Sequence, residues 1–237
     1  MTRLAIISDV HADVHALADA LTQAERLGCD AVICAGDLVD YGLFPDETIA
    51  LLRERAVPCI RGNHDRWRVA ERTASDGGED KSGLSLETLE FLTALPLKWD
   101  TVLDGVRVAM RHATPRSDME GIYPGEASNA DVERWLAEAQ ADVLIVGHTH
   151  QPFVLMTSGG SLIVNPGALL RAPGKNLSQQ MVYNLERRTF ELAPVAVGGT
   201  FGVLELPTRS FTVYSAKDGV EIEIPRLTVG VTDRRGR

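Results

Sequence analysis

No stretch of this 237-residue chain approaches the roughly 20 consecutive apolar residues that a membrane span needs. The opening run Met1-Thr2-Arg3-Leu4-Ala5-Ile6-Ile7 meets its first aspartate too soon to serve as a secretion signal. Cysteine is scarce: Cys29, Cys34 and Cys59 are odd in number and show no C-x-x-C spacing, which argues against a thiolate zinc site or a disulfide framework. They read as reduced thiols in a cytoplasmic protein. Basic residues are also in deficit. The 24 Lys and Arg against 33 Asp and Glu leave a net charge of −9, which disfavours non-specific nucleic-acid binding but allows a local basic pocket. No internal repeat, low-complexity tract or linker divides the sequence. Charged and apolar fractions of 24% and 44% are those of an ordinary soluble protein with a substantial core. Residues 1–237 are therefore expected to form one domain, with a β-rich C-terminal extension from about residue 196.

What is present is a strand–helix rhythm. Arg3 to Ser8 reads as a buried strand, and Val14 to Leu27 carries Leu17, Ala20, Leu21, Ala24 and Leu27 at helical spacing. Asp13 suits its N-cap and Gly28 its stop. Ala31 to Ala35 is a second strand, Asp46 to Arg55 a helix with Pro45 at its start, and Val57 to Ile60 a third strand. Short crossovers of this kind build a βαβ sheet. Residues 66–83 are polar and read as an exposed loop. Ser85 to Leu95 is expected as a helix, and Lys98 to Leu103 with Val106 to Met110 as a hairpin about Asp104-Gly105. A loop over 113–128, a helix over Asn129 to Ala139 and a strand over Val143 to Val146 follow. Beyond lie short strands and hairpins without helix, and a basic tail, 232–237, that is expected to fray.

The polar residues that matter sit where these strands end. Six histidines occur, and five of them follow a predicted strand directly; so do Asp9, Asp37 and Asn63. Scattered structural histidines would not gather at one sheet edge, the edge at which open α/β sheets bind ligands. Imidazole, carboxylate and amide oxygen suit first-row divalent ions rather than Ca²⁺.

Taken together, Asp9-x-His11, Gly36-Asp37-x-x-Asp40, Gly62-Asn63-His64-Asp65, His112 and Gly147-His148-x-His150 resemble the five blocks of the calcineurin-like metallophosphoesterase superfamily, in that family's order. One block alone is a weak signal; five in sequence are specific. Asn165-Pro166-Gly167 resembles the N-P-G turn of the family's bacterial branch. The resemblance implies an α/β fold, a four-layer α/β/β/α sandwich of two mixed sheets flanked by helices. It further implies a site for two divalent metal ions (Mn, Fe, Zn or Ni, with Mn favoured). Asp9, His11 and His150 would hold one ion, Asn63, His112 and His148 the other, and Asp37 would bridge them. Ions about 3.5–4 Å apart can both touch one phosphoryl group, and water held between them attacks phosphorus in line. His64 would protonate the leaving oxygen, with Asp40 fixing its tautomer.

Other positions stay open at this level. Asp65 is either a supporting partner or part of a turn. Arg61, Arg111 and Arg116 are candidates for substrate phosphate, although Arg61 and Arg111 directly precede ligands and equally can point away. Trp67 is a candidate for base stacking, and His15 reads as packing or solvent-facing. Ala12 and Ala113 replace glycines usual in the family, and Tyr41 and Asp65 depart from the protein Ser/Thr phosphatase pattern. The branch most resembled is the small bacterial and archaeal phosphodiesterase type, diadenosine-tetraphosphatase-like members included. The reading is hydrolysis of a phosphodiester or phosphoanhydride in a small phosphorylated substrate, such as a nucleotide, with no membrane partner. The alternatives are a phosphomonoesterase or protein phosphatase, and a non-catalytic scaffold of the same fold. A scaffold predicts missing ligands, and all seven are present. Nothing in the sequence indicates an oligomeric state.

Overall fold

The computed structural model describes residues 1–73, 83–170, 179–184, 189–194 and 199–229. Along the chain run β1 (Thr2–Ile7), α1 (Val14–Arg26), β2 (Ala31–Cys34), α2 (Pro45–Glu54), α3 (Asn63–Thr73), α4 (Leu86–Ala94), β3 (Lys98–Leu103) and β4 (Val106–Arg111). Then come α5 (Asn129–Ala139), β5 (Val143–Ile145), β6 (Phe153–Thr157), β7 (Leu162–Asn165), β8 (Gln179–Asn184) and β9 (Thr189–Pro194). The last four are β10 (Thr200–Leu206), β11 (Ser210–Ser215), β12 (Glu221–Ile222) and β13 (Arg226–Val229).

Alternation along β1 builds the layers. Successive side chains point to opposite faces, so Leu4 and Ile6 enter the space between two sheets while Ala5 and Ile7 meet helices. The first sheet has the order β12-β11-β10-β1-β2 and the second β13-β6-β7-β5-β4-β3; β8 and β9 form a separate antiparallel pair. Between the sheets pack Leu4, Ile6 and Phe211 from one side and Val108, Met110, Ile145 and Val164 from the other. Outside the first sheet α1 lays down Ala16, Leu17, Ala20, Leu21 and Ala24, beside Ile49 and Leu52 of α2 and Leu92 of α4. Outside the second, α5 offers Val132, Trp135 and Leu136 to Leu144, Phe153 and Ile163. This is the expected four-layer α/β/β/α sandwich of two mixed sheets. Each fully buried Leu, Ile or Phe contributes about 1.5–3 kcal/mol. Truncating Phe211, which is fully buried, to alanine is expected to cost about 3–5 kcal/mol.

Helix ends follow the local chemistry. Asp13 Oδ1 accepts the Ala16 N–H at 2.9 Å, and Ser85 Oγ accepts that of Thr88 at 3.2 Å. Ser128 and Asp131 form a reciprocal capping box at the start of α5. Asp104 and Gly105, with φ of 48° and 79°, make the expected hairpin turn between β3 and β4.

Two expectations are corrected. Val57 to Ile60 is not a strand but a single parallel bridge, Cys34 to Cys59. Pro58 has no N–H to extend a ladder, and the Val57 N–H is already bonded to Leu52 O at the end of α2. The polar stretch from Arg66 is not a loop as far as Thr73, because it forms most of α3. Its charges hid the helix: Arg68 and Glu71 pair at i,i+3, and Asp65 lies in the first turn. The remainder of that stretch up to residue 82 lies outside the described residues, as does the tail 232–237. The segment expected as a β-rich extension supplies β10, β11 and β12 to the first sheet and β13 to the second. Among the described residues no helix is long and apolar enough to cross a membrane.

Candidate metal centre

β1 and β2 run parallel in one sheet, and β4 and β5 run parallel in the other, so each pair ends at one rim. The loops after β1 and β2 are stitched together: Asp9 N–H donates to Gly36 O at 2.9 Å, His11 N–H to Asp37 O at 3.0 Å, and Ala12 N–H to Leu38 O at 2.8 Å. Such tight loops force the backbone into the left-handed region. Asp9, His11, Asp37, Asp40, His148 and His150 all have positive φ, between 49° and 75°. Each non-glycine residue held there costs on the order of 1–3 kcal/mol, and such positions concentrate where function requires them.

Three groups of side chains converge at the rim, each with ligand atoms within 4.8 Å of one another: Asp9, His11 and His150; Asp37, His112 and His148; and His11, Asp37 and His64. In the first, His11 Nε2 lies 3.0 Å from His150 Nε2, and His150 Nε2 lies 3.3 Å from Asp9 Oδ1. In the second, Asn63 Oδ1 lies 3.0 Å from His112 Nε2 and 2.9 Å from His148 Nδ1. Asp37 Oδ2 faces both groups, 3.2 Å from His112 Nε2 and 3.9 Å from His11 Nε2.

Outer partners set which ring nitrogen faces inward. His11 Nδ1 meets Val39 O at 3.1 Å and His112 Nδ1 meets Ala35 O at 2.7 Å, so Nδ1–H donates and Nε2 is the nitrogen that faces the rim. There it can hold either a proton or a cation. Imidazole, carboxylate and amide oxygen, with no sulfur, fit first-row divalent ions.

Charge and burial act against each other here. Burial is the larger influence on His11 and pushes it down to about 4, despite Asp37 and Asp9. Burial also opposes charge on His112, yet the Asp37 charge and hydrogen bond overcome it and push it up to about 10. Burial would raise Asp9, but His150 holds it well below the usual carboxylate range.

Asp65, left open by the sequence, proves to be the brace of the Asp37 loop. Fully buried, it accepts the N–H groups of Asp37 (3.0 Å), Leu38 (2.8 Å), Val39 (3.3 Å) and Gly62 (2.9 Å). Burial, then the Asp37 charge, pushes its carboxyl up to about 7. Asn165 clamps the other side: its Nδ2 donates to Gly147 O at 2.8 Å and Thr149 Oγ1 at 3.1 Å, and its Oδ1 accepts the Gly167 N–H at 2.8 Å. A Cβ at Gly62 would collide with Asp37 Oδ1, and one at Gly147 with Ser8 Oγ, so only glycine lets these loops approach the carboxylates. An aspartate within the first turn of α3 and an asparagine before Pro-Gly were the available sequence signals for these braces.

His64 sits at the mouth with Nδ1 2.7 Å from Asp40 Oδ2, while its backbone N–H donates to Asp37 Oδ1 at 2.9 Å. Arg68 holds the other Asp40 oxygen. Burial would raise Asp40, but the hydrogen bonds from His64 and Arg68 keep it below its ordinary value. Tyr41 and Trp67, both partly exposed, flank the His64 ring with centroids 4.9 and 4.7 Å away. Arg61 and Arg111 are not among the converging groups. They line a neighbouring pocket beside His112, where Arg111 is bound to Asp100 at 2.6 and 3.3 Å. Exposed His15 packs edge-on against Phe44 and belongs to none of the three groups.

Imidazoles and carboxylates gathered where two sheets of a sandwich end make a candidate site for divalent ions. Residues 2–188 match the calcineurin-like phosphoesterase superfamily domain, and the chain belongs to that superfamily of metal-dependent hydrolases. It is 29% identical over 235 residues to the uncharacterized protein MJ0912 of Methanocaldococcus jannaschii, covering 94% of this chain and 86% of that one. In structure it is similar to the hypothetical protein PH1004 of Pyrococcus horikoshii, with a TM-score of 0.70 at 18% identity over 94% and 89% of the two chains. It is also similar to a metallophosphoesterase from Sphaerobacter thermophilus, with a TM-score of 0.62 at 24% identity over 94% and 89%. Those two structural likenesses concern the fold.

Proposed function

We propose that the chain is a dinuclear metal-dependent phosphohydrolase that cleaves phosphodiester or phosphoanhydride bonds. The observation that carries this is Asp37 Oδ2, which faces an imidazole of each cluster, His11 on one side and His112 on the other. Asp9, His11 and His150 would hold one divalent ion and Asn63, His112 and His148 the other, with Asp37 between the two clusters; manganese is the favoured metal. Bound ions supply Lewis acidity, neutralise charge on the phosphoryl oxygens and make water a nucleophile near neutral pH.

The protein's own groups do the rest. The Asp40 carboxylate accepts the His64 Nδ1–H and fixes the ring, leaving its other nitrogen to pass a proton to the leaving oxygen. Arg68 keeps Asp40 in place, so the acid holds its orientation through turnover. Asp65 and Asn165 hold the ligand loops in their left-handed turns. Three free cysteines support a cytoplasmic setting.

The test is turnover of bis-p-nitrophenyl phosphate against p-nitrophenyl phosphate by protein stripped of metal and reloaded with Mn²⁺. Two ions per chain and faster diester cleavage are expected. Full activity in chelator, with no ion bound, overturns the reading, and faster monoester cleavage overturns its diester part.

A further inference from the structure

Beside His112, and outside the groups assigned above, lies a pocket of about 360 Å³ lined by four arginines: Arg61, Arg66, Arg111 and Arg116. In a chain of net charge −9 such a gathering of positive side chains is against the general balance. Three of the four have carboxylate partners. Arg66 is held by Asp118 at 2.6 and 3.1 Å, Arg111 by Asp100 at 2.6 and 3.3 Å, and Arg116 by Glu138 at 2.6 Å. Asp118, the acid in the pocket wall, is thereby committed to Arg66.

Arg61 differs. Among the described residues no carboxylate pairs with it, and its Nε is buried without a hydrogen-bond partner. Its backbone is tied down instead, the N–H donating to Pro96 O at 2.8 Å. A guanidinium offers five donors in a planar fork that matches phosphate oxygens, and a buried donor without a partner is costly. Arg61 is thus the guanidinium of this wall whose charge no described carboxylate answers. His112 forms part of the same pocket wall while its Nε2 faces Asp37 and Asn63, so an anion here is next to the second cluster.

We propose that this pocket receives a phosphate of the substrate other than the one attacked, so that the favoured substrates carry a chain of linked phosphates. The proposal rests on the phosphohydrolase reading above and names its substrate class. One phosphate faces the clusters while the next is gripped by Arg61, and the arginines already paired keep the pocket's shape.

Two measurements test it. The first is calorimetric titration of inorganic tripolyphosphate into metal-stripped protein, which needs no catalysis. The parent binds, Arg61→Gln binds at least about tenfold more weakly, and Arg61→Lys, which keeps the charge but not the fork, falls between. Melting curves confirm that the variants are folded. No binding by the parent, or equal binding by Arg61→Gln, overturns the site. The second compares kcat/KM of the Mn²⁺-loaded parent and Arg61→Gln on a dinucleoside tetraphosphate and on bis-p-nitrophenyl phosphate. The variant is expected to lose at least about tenfold more on the polyphosphate, chiefly through KM. Equal losses on both substrates, with tripolyphosphate binding still dependent on Arg61, make the pocket a site for free anions and overturn the substrate assignment. If the loaded parent cleaves neither compound, the phosphohydrolase reading fails, while the calorimetry still decides whether Arg61 binds anions.

Discussion

His11 and His112 occupy equivalent places on the two sides of one carboxylate, yet their protonation is driven in opposite directions. Both rings are buried, both give Nδ1–H to a backbone carbonyl, and both turn Nε2 to Asp37 Oδ2. His112 stands 3.2 Å from that oxygen and is pushed up to about 10; His11 stands 3.9 Å away and is pushed down to about 4. Where water is excluded, burial and charge pairing are both large, and modest differences in approach decide which prevails. Asp37 Oδ2 thus stands closer to the His112 ring than to the His11 ring.

The largest test of this asymmetry is Asp37→Asn. Turnover of bis-p-nitrophenyl phosphate is expected to fall by about three orders of magnitude or more, with both ions lost by atomic emission. Retention of one tightly held ion on the His11 side would break the comparison, by showing that Asp37 serves one cluster alone. Next comes His64→Ala, expected to lower turnover about 10²–10⁴-fold while ion content stays. Alkyl esters should lose more than p-nitrophenyl esters, whose leaving group needs no acid; equal losses would remove His64 from that role.

A smaller effect, about 10–100-fold in metal affinity, is expected for Asp65→Asn, which leaves one oxygen to serve four N–H donors. Unchanged affinity in a metal titration would show that the Asp37 loop holds itself.

The smallest effect concerns pH and separates the two imidazoles. In metal-stripped protein the raised His112 contributes stability that is present below about 6.5 and lost as pH climbs toward about 10. The depressed His11 contributes stability that is present above about 6.5 and lost as pH falls toward about 4. His112→Gln should therefore flatten the alkaline side of a pH series of melting temperatures, and His11→Gln the acid side. Both variants flattening the same side would contradict the assignment.

Much of this was legible along the chain, because strand ends and helix faces are local patterns. Leu17, Ala20, Leu21 and Ala24 announce α1, Asp104-Gly105 marks the hairpin, and the residues that follow the strands name the rim. What escaped was of two kinds. Pro58 cut short an apolar run that otherwise looks like a strand, and the charges of α3 masked its periodicity. The braces were hidden for a different reason: Asp65 reaches N–H groups 26 to 28 residues earlier, and Asn165 reaches back 18 to Gly147. Contacts of a side chain with a distant backbone leave no periodic trace.

β1, whose end carries Asp9, has β2 on one flank and β10 on the other, and β10 comes only at residue 200. A ribosome that has released everything through the N-P-G turn has made every proposed ligand, yet leaves a row of β1 amides unpaired and open to the wrong neighbour. Residues 200–206 therefore close the sheet behind the metal rim, and until they are made the nascent chain depends on not meeting another edge like its own.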